Sequence, residues 1–179
     1  MASVIERSLD ALGSWLIQAD IGLGLLLLVG LSMALSHVFA LLANRLTSRQ
    51  IGVHLLLDAL MLSVAFLLSS STDMLLLSQW ASKPVHPTQF LDGMAACLLP
   101  ACFYVLVAAP YVGNWIAAGI WLLIHLNVLT LLHVRFGLAY EQAFVLATPG
   151  FALALLLVWI LFRQSWRTAY TKLASELPP

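Results

Sequence analysis

The sequence predicts an all-α integral membrane bundle: five transmembrane helices preceded by an amphipathic helix lying in the interface. Three observations predict it. Hydrophobic residues make up 62% of the 179 positions and charged residues only 9%, whereas roughly a quarter of a soluble domain is charged. Five apolar stretches approach the ~20 residues that a hydrocarbon core about 30 Å thick demands at ~1.5 Å per residue. The first of them, Ile21 to Ala43, carries no charged side chain at all. The formal net charge is zero, and no cluster of Lys and Arg forms a footprint for nucleic acid or a polybasic lipid patch. The partners expected are therefore membrane lipids, with other membrane proteins or a second copy of the chain, and no nucleic acid.

Each element follows in order. Val4, Ile5, Leu9, Leu12 and Leu16 recur at helical spacing, with Glu6, Asp10 and Gln18 elsewhere on the wheel, which is the pattern of a helix in the interface plane. Glu6, Arg7, Asp10 and Asp20 and the lack of an Ala-x-Ala pattern argue against a removable secretory leader. The first span, 21–43, ends at Asn44-Arg45, and the polar turn Thr47-Ser48-Arg49 is long enough only to join antiparallel neighbours. The second begins near Ile51 and has two candidate ends. It stops near Ser70, with Asp73 capping a short interfacial turn, or it continues as a tilted helix to Leu77. Lys83, Pro84 and Pro87 mark a loop. The third span, 88–109, contains Pro100, whose missing N–H should kink the helix and leave a carbonyl open to a neighbour. Pro110 to Asn114, with Gly113 in it, reads as a tight reversal. Spans four and five are placed at 112–133 and 140–162, the latter with Pro149-Gly150 near its start. Arg163, Trp166, Arg167, Tyr170 and Lys172 then read as a headgroup anchor. The whole chain forms a single transmembrane domain.

Basic residues divide five to three between the two faces: Arg45, Arg49, Arg163, Arg167 and Lys172 against Arg7, Lys83 and Arg135. The positive-inside rule then favours an inside C-terminus and an outside N-terminus.

From Phe90 onward the chain resembles the Yip (Ypt/Rab-interacting protein) family of membrane proteins. The resemblance rests on Pro100, the turn Pro110 to Gly113, Trp121 midway along a span, the exit Arg135-Phe136-Gly137-Leu138, and Ala143 to Pro149 opening the last span. It implies a five-span fold and, for a prokaryotic-type member, residence in the inner membrane without an assigned activity. Eukaryotic members interact with Rab-type GTPases and shape membranes. The family places its N-terminus in the cytosol, opposite to the charge count here, and no catalytic residue carries over.

Ionisable groups are costly inside a bilayer, so His37, His54, Asp58, Asp92 and His125 are the residues from which a site would be drawn. His37 and Asp58 lie at similar depths, ~10–15 Å from the turn that joins the first two spans, and His54 is one helical turn from Asp58. These three form a candidate intramembrane polar cluster, either a structural hydrogen bond fixing the hairpin or a proton- or ligand-binding site. His125 lies deeper as a further candidate ligand, and Asn127 shares a face with Thr130 for bonding between helices. His125 and His133, displaced ~12 Å along the helix, cannot share one iron. Asp92 near His86 reads as a helix-start cap. Gly113 with Ala117 and Gly150 with Ala154 give small-residue patches for internal packing or for an oligomer. Cys97 and Cys102, ~140° apart on a helix, read as unbridged packing residues. Soluble-enzyme and intramembrane-protease motifs are missing. The expected function is non-enzymatic membrane organisation through helix and lipid contacts, without cofactor or metal. The alternative is a haem- or quinone-binding or proton-linked membrane subunit.

Overall fold

The computed structural model describes residues 22–36, 38–43, 47–81, 85–109 and 111–176, with the backbone alone described for residues 22, 23, 39, 40, 43 and 162–176. The helix expected over the first twenty residues lies outside them. Among the described residues the elements are α1 (Gly22–Leu35), α2 (Val38–Ala43), α3 (Ser48–Trp80), α4 (Pro87–Cys97), a 3-10 helix (Leu99–Ala108), α5 (Gly113–Phe136) and α6 (Tyr140–Glu176), with no strand. Four stretches, Ser48–Trp80, Pro87–Ala108, Gly113–Phe136 and Tyr140–Leu161, are long and apolar enough to cross a membrane, and a shorter apolar helix runs through Gly24–Leu35. The chain is a multi-pass integral membrane protein built as a helical bundle.

The first apolar stretch is divided where a single helix over 21–43 was expected. Ser36 sends both its N–H (3.2 Å) and its hydroxyl (2.6 Å) to the Met33 carbonyl. That i−3 pattern tightens the last turn of α1 and competes with continuation of the α-helix.

Thr47 and Gln50 close a reciprocal capping box at the start of α3, with Thr47 N–H donating to Gln50 Oε1 at 2.9 Å and Gln50 N–H to Thr47 Oγ1 at 3.4 Å. The helix then runs unbroken to Trp80, past both ends considered for it. The polar run does not stop it, because Thr72 returns its hydroxyl to the Leu68 carbonyl at 3.0 Å and Ser69 and Asp73 are taken up by another helix.

Pro100 does not kink an α-helix. It stands second in a ten-residue 3-10 helix that follows α4 directly, and the bonds of Leu98 N–H to Ala95 O and Ala101 N–H to Leu98 O mark the change of winding. At ~2.0 Å per residue the ten residues cover about 20 Å instead of about 15 Å, so α4 and its 3-10 extension together reach about 36 Å. In the reversal that follows, Tyr111 takes a left-handed conformation (φ 69°) and Gly113 N–H bonds Ala109 O at 3.1 Å. A Cβ on Gly113 would strike the Val107 carbonyl. Pro110 lies outside the described residues.

Helix α5 ends at Gly137, left-handed at φ 64°, whose N–H caps His133 O at 2.9 Å. The imidazole of His133 donates through Nδ1 to Leu138 O (2.6 Å) and stacks on Tyr140 at 4.1 Å between centroids, which fixes the route into α6.

The helices close a ring in which α3 packs on α1 and α6, α5 on α6 and the 3-10 helix, and the 3-10 helix on α1. Two apolar cores fill it. Val29, Met33, Leu62, Phe66 and Trp121 belong to one, and Leu77, Phe90, Cys97, Leu131 and Ala147 to the other. Leu27, Leu56, Met61, Phe103, Leu122 and Leu156 are among the large apolar side chains turned outward.

Candidate functional site

Between the two cores, along α3 from Phe66 to Leu77 and along α6 from Ala147 to Ala154, the interior turns polar. Asp73 is only 3% exposed. Its Oδ1 accepts the N–H of Gly150 at 3.1 Å, and Ser69, one turn earlier on the same face of α3, donates its hydroxyl to the Gly150 carbonyl at 2.6 Å. Two side chains of α3 thus grip both ends of one residue of α6.

The sequence of α6 makes that grip feasible. Pro149 has no N–H and crowds the carbonyl four residues back, which loosens the turn it sits in. Thr148, just before it, returns its hydroxyl to Phe144 O at 2.6 Å, the carbonyl one position before the one that Pro149 leaves without a donor. Gly150 removes the remaining obstacle, because a Cβ there would fall on the Asp73 carboxyl group. Asp73 lies ~10 Å along α3 from Trp80 and Gly150 ~15 Å along α6 from Tyr140, which sets the clamp inside the apolar span.

A cavity of about 20 Å³ adjoins it, lined by Phe66, Ser69, Ser70, Asp73, Leu98, Trp121 and Phe151 among others. About 10–15 Å³ is enough for one water. Aromatic rings wall it: Trp121 meets Phe66, Tyr104 and Phe151 at 6.2, 6.5 and 5.9 Å between centroids. Such tilted and edge-on pairs fix a wall rigidly. Behind Phe151 lies His125, buried and packed on that ring at 4.4 Å and edge-on to Phe144 at 5.6 Å. Among the described residues its buried Nδ1 has no hydrogen-bond partner.

Of the residues singled out from sequence, His54 and Asp58 stay close enough on α3 to interact electrostatically, and His125 and Asn127 lie apart from them on α5. His37 lies outside the described residues. His54 is exposed on α3 and Asp58 half-buried, with no hydrogen bond between them. Asn127 Nδ2 donates to Cys97 O at 3.2 Å, the carbonyl three residues before Pro100, so this side chain answers the donor that proline lacks. Thr130, on the same face, bonds its own helix at Leu126 O (2.9 Å). Asp92 is no helix cap: α4 starts at Pro87 with His86 as its N-cap residue, which places Asp92 in the second turn, beyond reach of the free N–H groups. Gly150 and Ala154 are buried inside the bundle, and Gly113 is buried while Ala117 packs on its core. Cys97 and Cys102 are free thiols.

Asp73 is the residue that the sequence reading misplaced. Its signal was the i, i+4 pair Ser69 and Asp73 combined with a Pro-Gly step in a later apolar stretch. Neither half is informative alone.

No family model, curated protein or solved structure matches the chain.

Proposed function

We propose that this membrane protein is a non-enzymatic, Yip-type organiser of membranes, acting through contacts of its helices with lipid and with membrane partners or a second copy, in the inner membrane of a prokaryote. One observation carries the reading. Four polar side chains within the spans are spent on the backbones of neighbouring helices: Ser32 on Cys102 O, Ser63 on Leu26 O, Ser69 on Gly150 O and Asn127 on Cys97 O. The spans turn many large apolar side chains outward, suited to lipid and helix contacts. Cross-linking in native membranes followed by purification in mild detergent tests it. A stoichiometric membrane partner or a self-associated species is expected, and a chain recovered alone and monomeric would count against the reading.

A second reading, a cofactor-binding or proton-linked subunit, draws on the partnerless Nδ1 of buried His125. An optical spectrum of the purified protein tests its haem form, which ends if no Soret band appears under oxidising and reducing conditions.

A further inference from the structure

We propose that Asp73 is a proton-binding site that locks α3 to α6 at the Pro149–Gly150 turn, and that release of its proton parts the two helices there. The inference goes beyond the organising role above and stands on the clamp and its cavity.

In the closed arrangement the carboxyl group has, among the described residues, one donor directed at it, the Gly150 N–H. A neutral acid suits that environment: it accepts that bond through Oδ1 and has a single O–H of its own to place in the adjoining cavity. A carboxylate has only acceptor sites and requires several donors or a cation. The cavity has room for about one water, and its walls are chiefly Phe66, Leu98, Trp121 and Phe151. Further hydration can come only from outside, and it requires α3 and α6 to separate. The turn at Pro149 is where α6 can yield, since its backbone bonding is already reduced there.

The titratable groups on the surrounding elements leave Asp73 without a counter-charge among the described residues. Described α1 and α2 side chains carry none. On α3, Asp58 lies fifteen residues, about four turns, away. On α4, Asp92 is outside the cavity lining, and on the 3-10 helix the Tyr104 phenol adjoins Trp121. On α5, His125 is stacked on Phe151, and on α6, Glu141 is exposed two and a half turns before Gly150. In the step itself the O–H bond breaks, its electron pair stays on the carboxylate, and the proton passes to water entering the opened joint. The closed form holds the extra proton, so it dominates at lower pH and is lost as pH rises.

The experiment uses the full chain in liposomes, with Cys97 and Cys102 replaced by alanine and nitroxides attached at Leu75→Cys and Val145→Cys, both exposed positions flanking the joint. The distance between labels is expected to lengthen as pH is raised. Asp73→Asn, which keeps the hydrogen-bonding shape without the proton, should abolish the shift and hold the short distance. Gly150→Ala should hold the long distance at every pH. Infrared spectra of the wild-type chain with isotope-labelled aspartate provide the check that needs no variant: a neutral-acid carbonyl band should vanish over the same pH interval as the distance change. A distance constant across the titration, a shift that survives Asp73→Asn, or a band that vanishes where the distance does not move would each overturn the proposal.

Discussion

At Gly30 and Gly150 the neighbouring helix leaves room for a hydrogen and nothing larger. A Cβ on Gly30 would come within 2.5 Å of the Ala59 carbonyl oxygen, and one on Gly150 would land on the Asp73 carboxyl group. Gly24, Gly52 and Gly119 have nothing within 4 Å. Gly30→Ala and Gly150→Ala are therefore expected to cost ~1–3 kcal/mol each through forced separation of the helices. Gly24→Ala and Gly119→Ala should be neutral or slightly stabilising, and denaturation in detergent measures all four. The two aspartates on α3 separate in the same way. Asp73→Ala leaves the buried Gly150 N–H without its acceptor, for about 1–3 kcal/mol, whereas Asp58→Ala removes a half-buried group whose partner is an electrostatic contact with exposed His54 and should change stability by less than ~1 kcal/mol, as screened exposed pairs contribute about 0–1 kcal/mol. Sequence pointed to Asp58 because His37 falls at a similar depth on the preceding span and His54 stands one turn away. That spacing places two side chains on one face but does not say whether the face meets lipid or protein. For Asp73 the deciding partner is a backbone N–H 77 positions later, and backbone groups leave no trace in side-chain patterns.

The elements themselves were legible where hydropathy alone decides, and less so where a polar side chain competes for the helix's own carbonyls. Apolar length located α3, α5 and α6, and left-handed Gly137 stops α5 three residues beyond the expected end at 133. Ser36 and Pro100 were harder to read, because their effect is to change winding rather than to end a span. At Pro100 the consequence can be measured. In a 3-10 ladder its N–H would have gone to Cys97 O, and Asn127 Nδ2 donates there instead. Asn127→Leu should cost on the order of 0.6 kcal/mol, the average for hydrogen bonds between membrane helices. In a Pro100→Ala background the restored N–H can satisfy the same carbonyl, so the cost of Asn127→Leu should fall toward zero. A double-mutant cycle reads that coupling directly, and additive effects would show that the side chain and the proline act independently.

For the whole molecule, the ring of helices requires that consecutive spans alternate in direction, and the ends of the described helices then sort into two levels. The start of α3 at Ser48 and the reversal around Tyr111 share one level, since α3 and the Pro87–Ala108 stretch lie between them. The turn at Gly137–Ala139 lies at the other, one span further on. Ser48, Tyr111 and Ala139 are all exposed, Tyr111 completely, so cysteines placed there report sidedness without disturbing a core. An impermeant thiol reagent applied to one face of sealed vesicles should label Ser48→Cys and Tyr111→Cys together, and Ala139→Cys only from the opposite face. The charge bias adds a direction. Arg45 and Arg49 belong to the loop beside Ser48 and Arg135 to the end that carries Ala139, so the positive-inside rule puts the Ser48 and Tyr111 pair on the cytoplasmic side. Five basic residues against three is a small imbalance. Exchanging Arg45 and Arg49 for glutamine would leave three basic residues on each side, and should produce a mixed population in which each of the three cysteines labels from both faces. Labelling that stays one-sided after the exchange would mean that helix packing, rather than the loop charges, sets the orientation, and labelling of Ser48→Cys and Tyr111→Cys from opposite faces in the original chain would refute the alternation on which the ring depends.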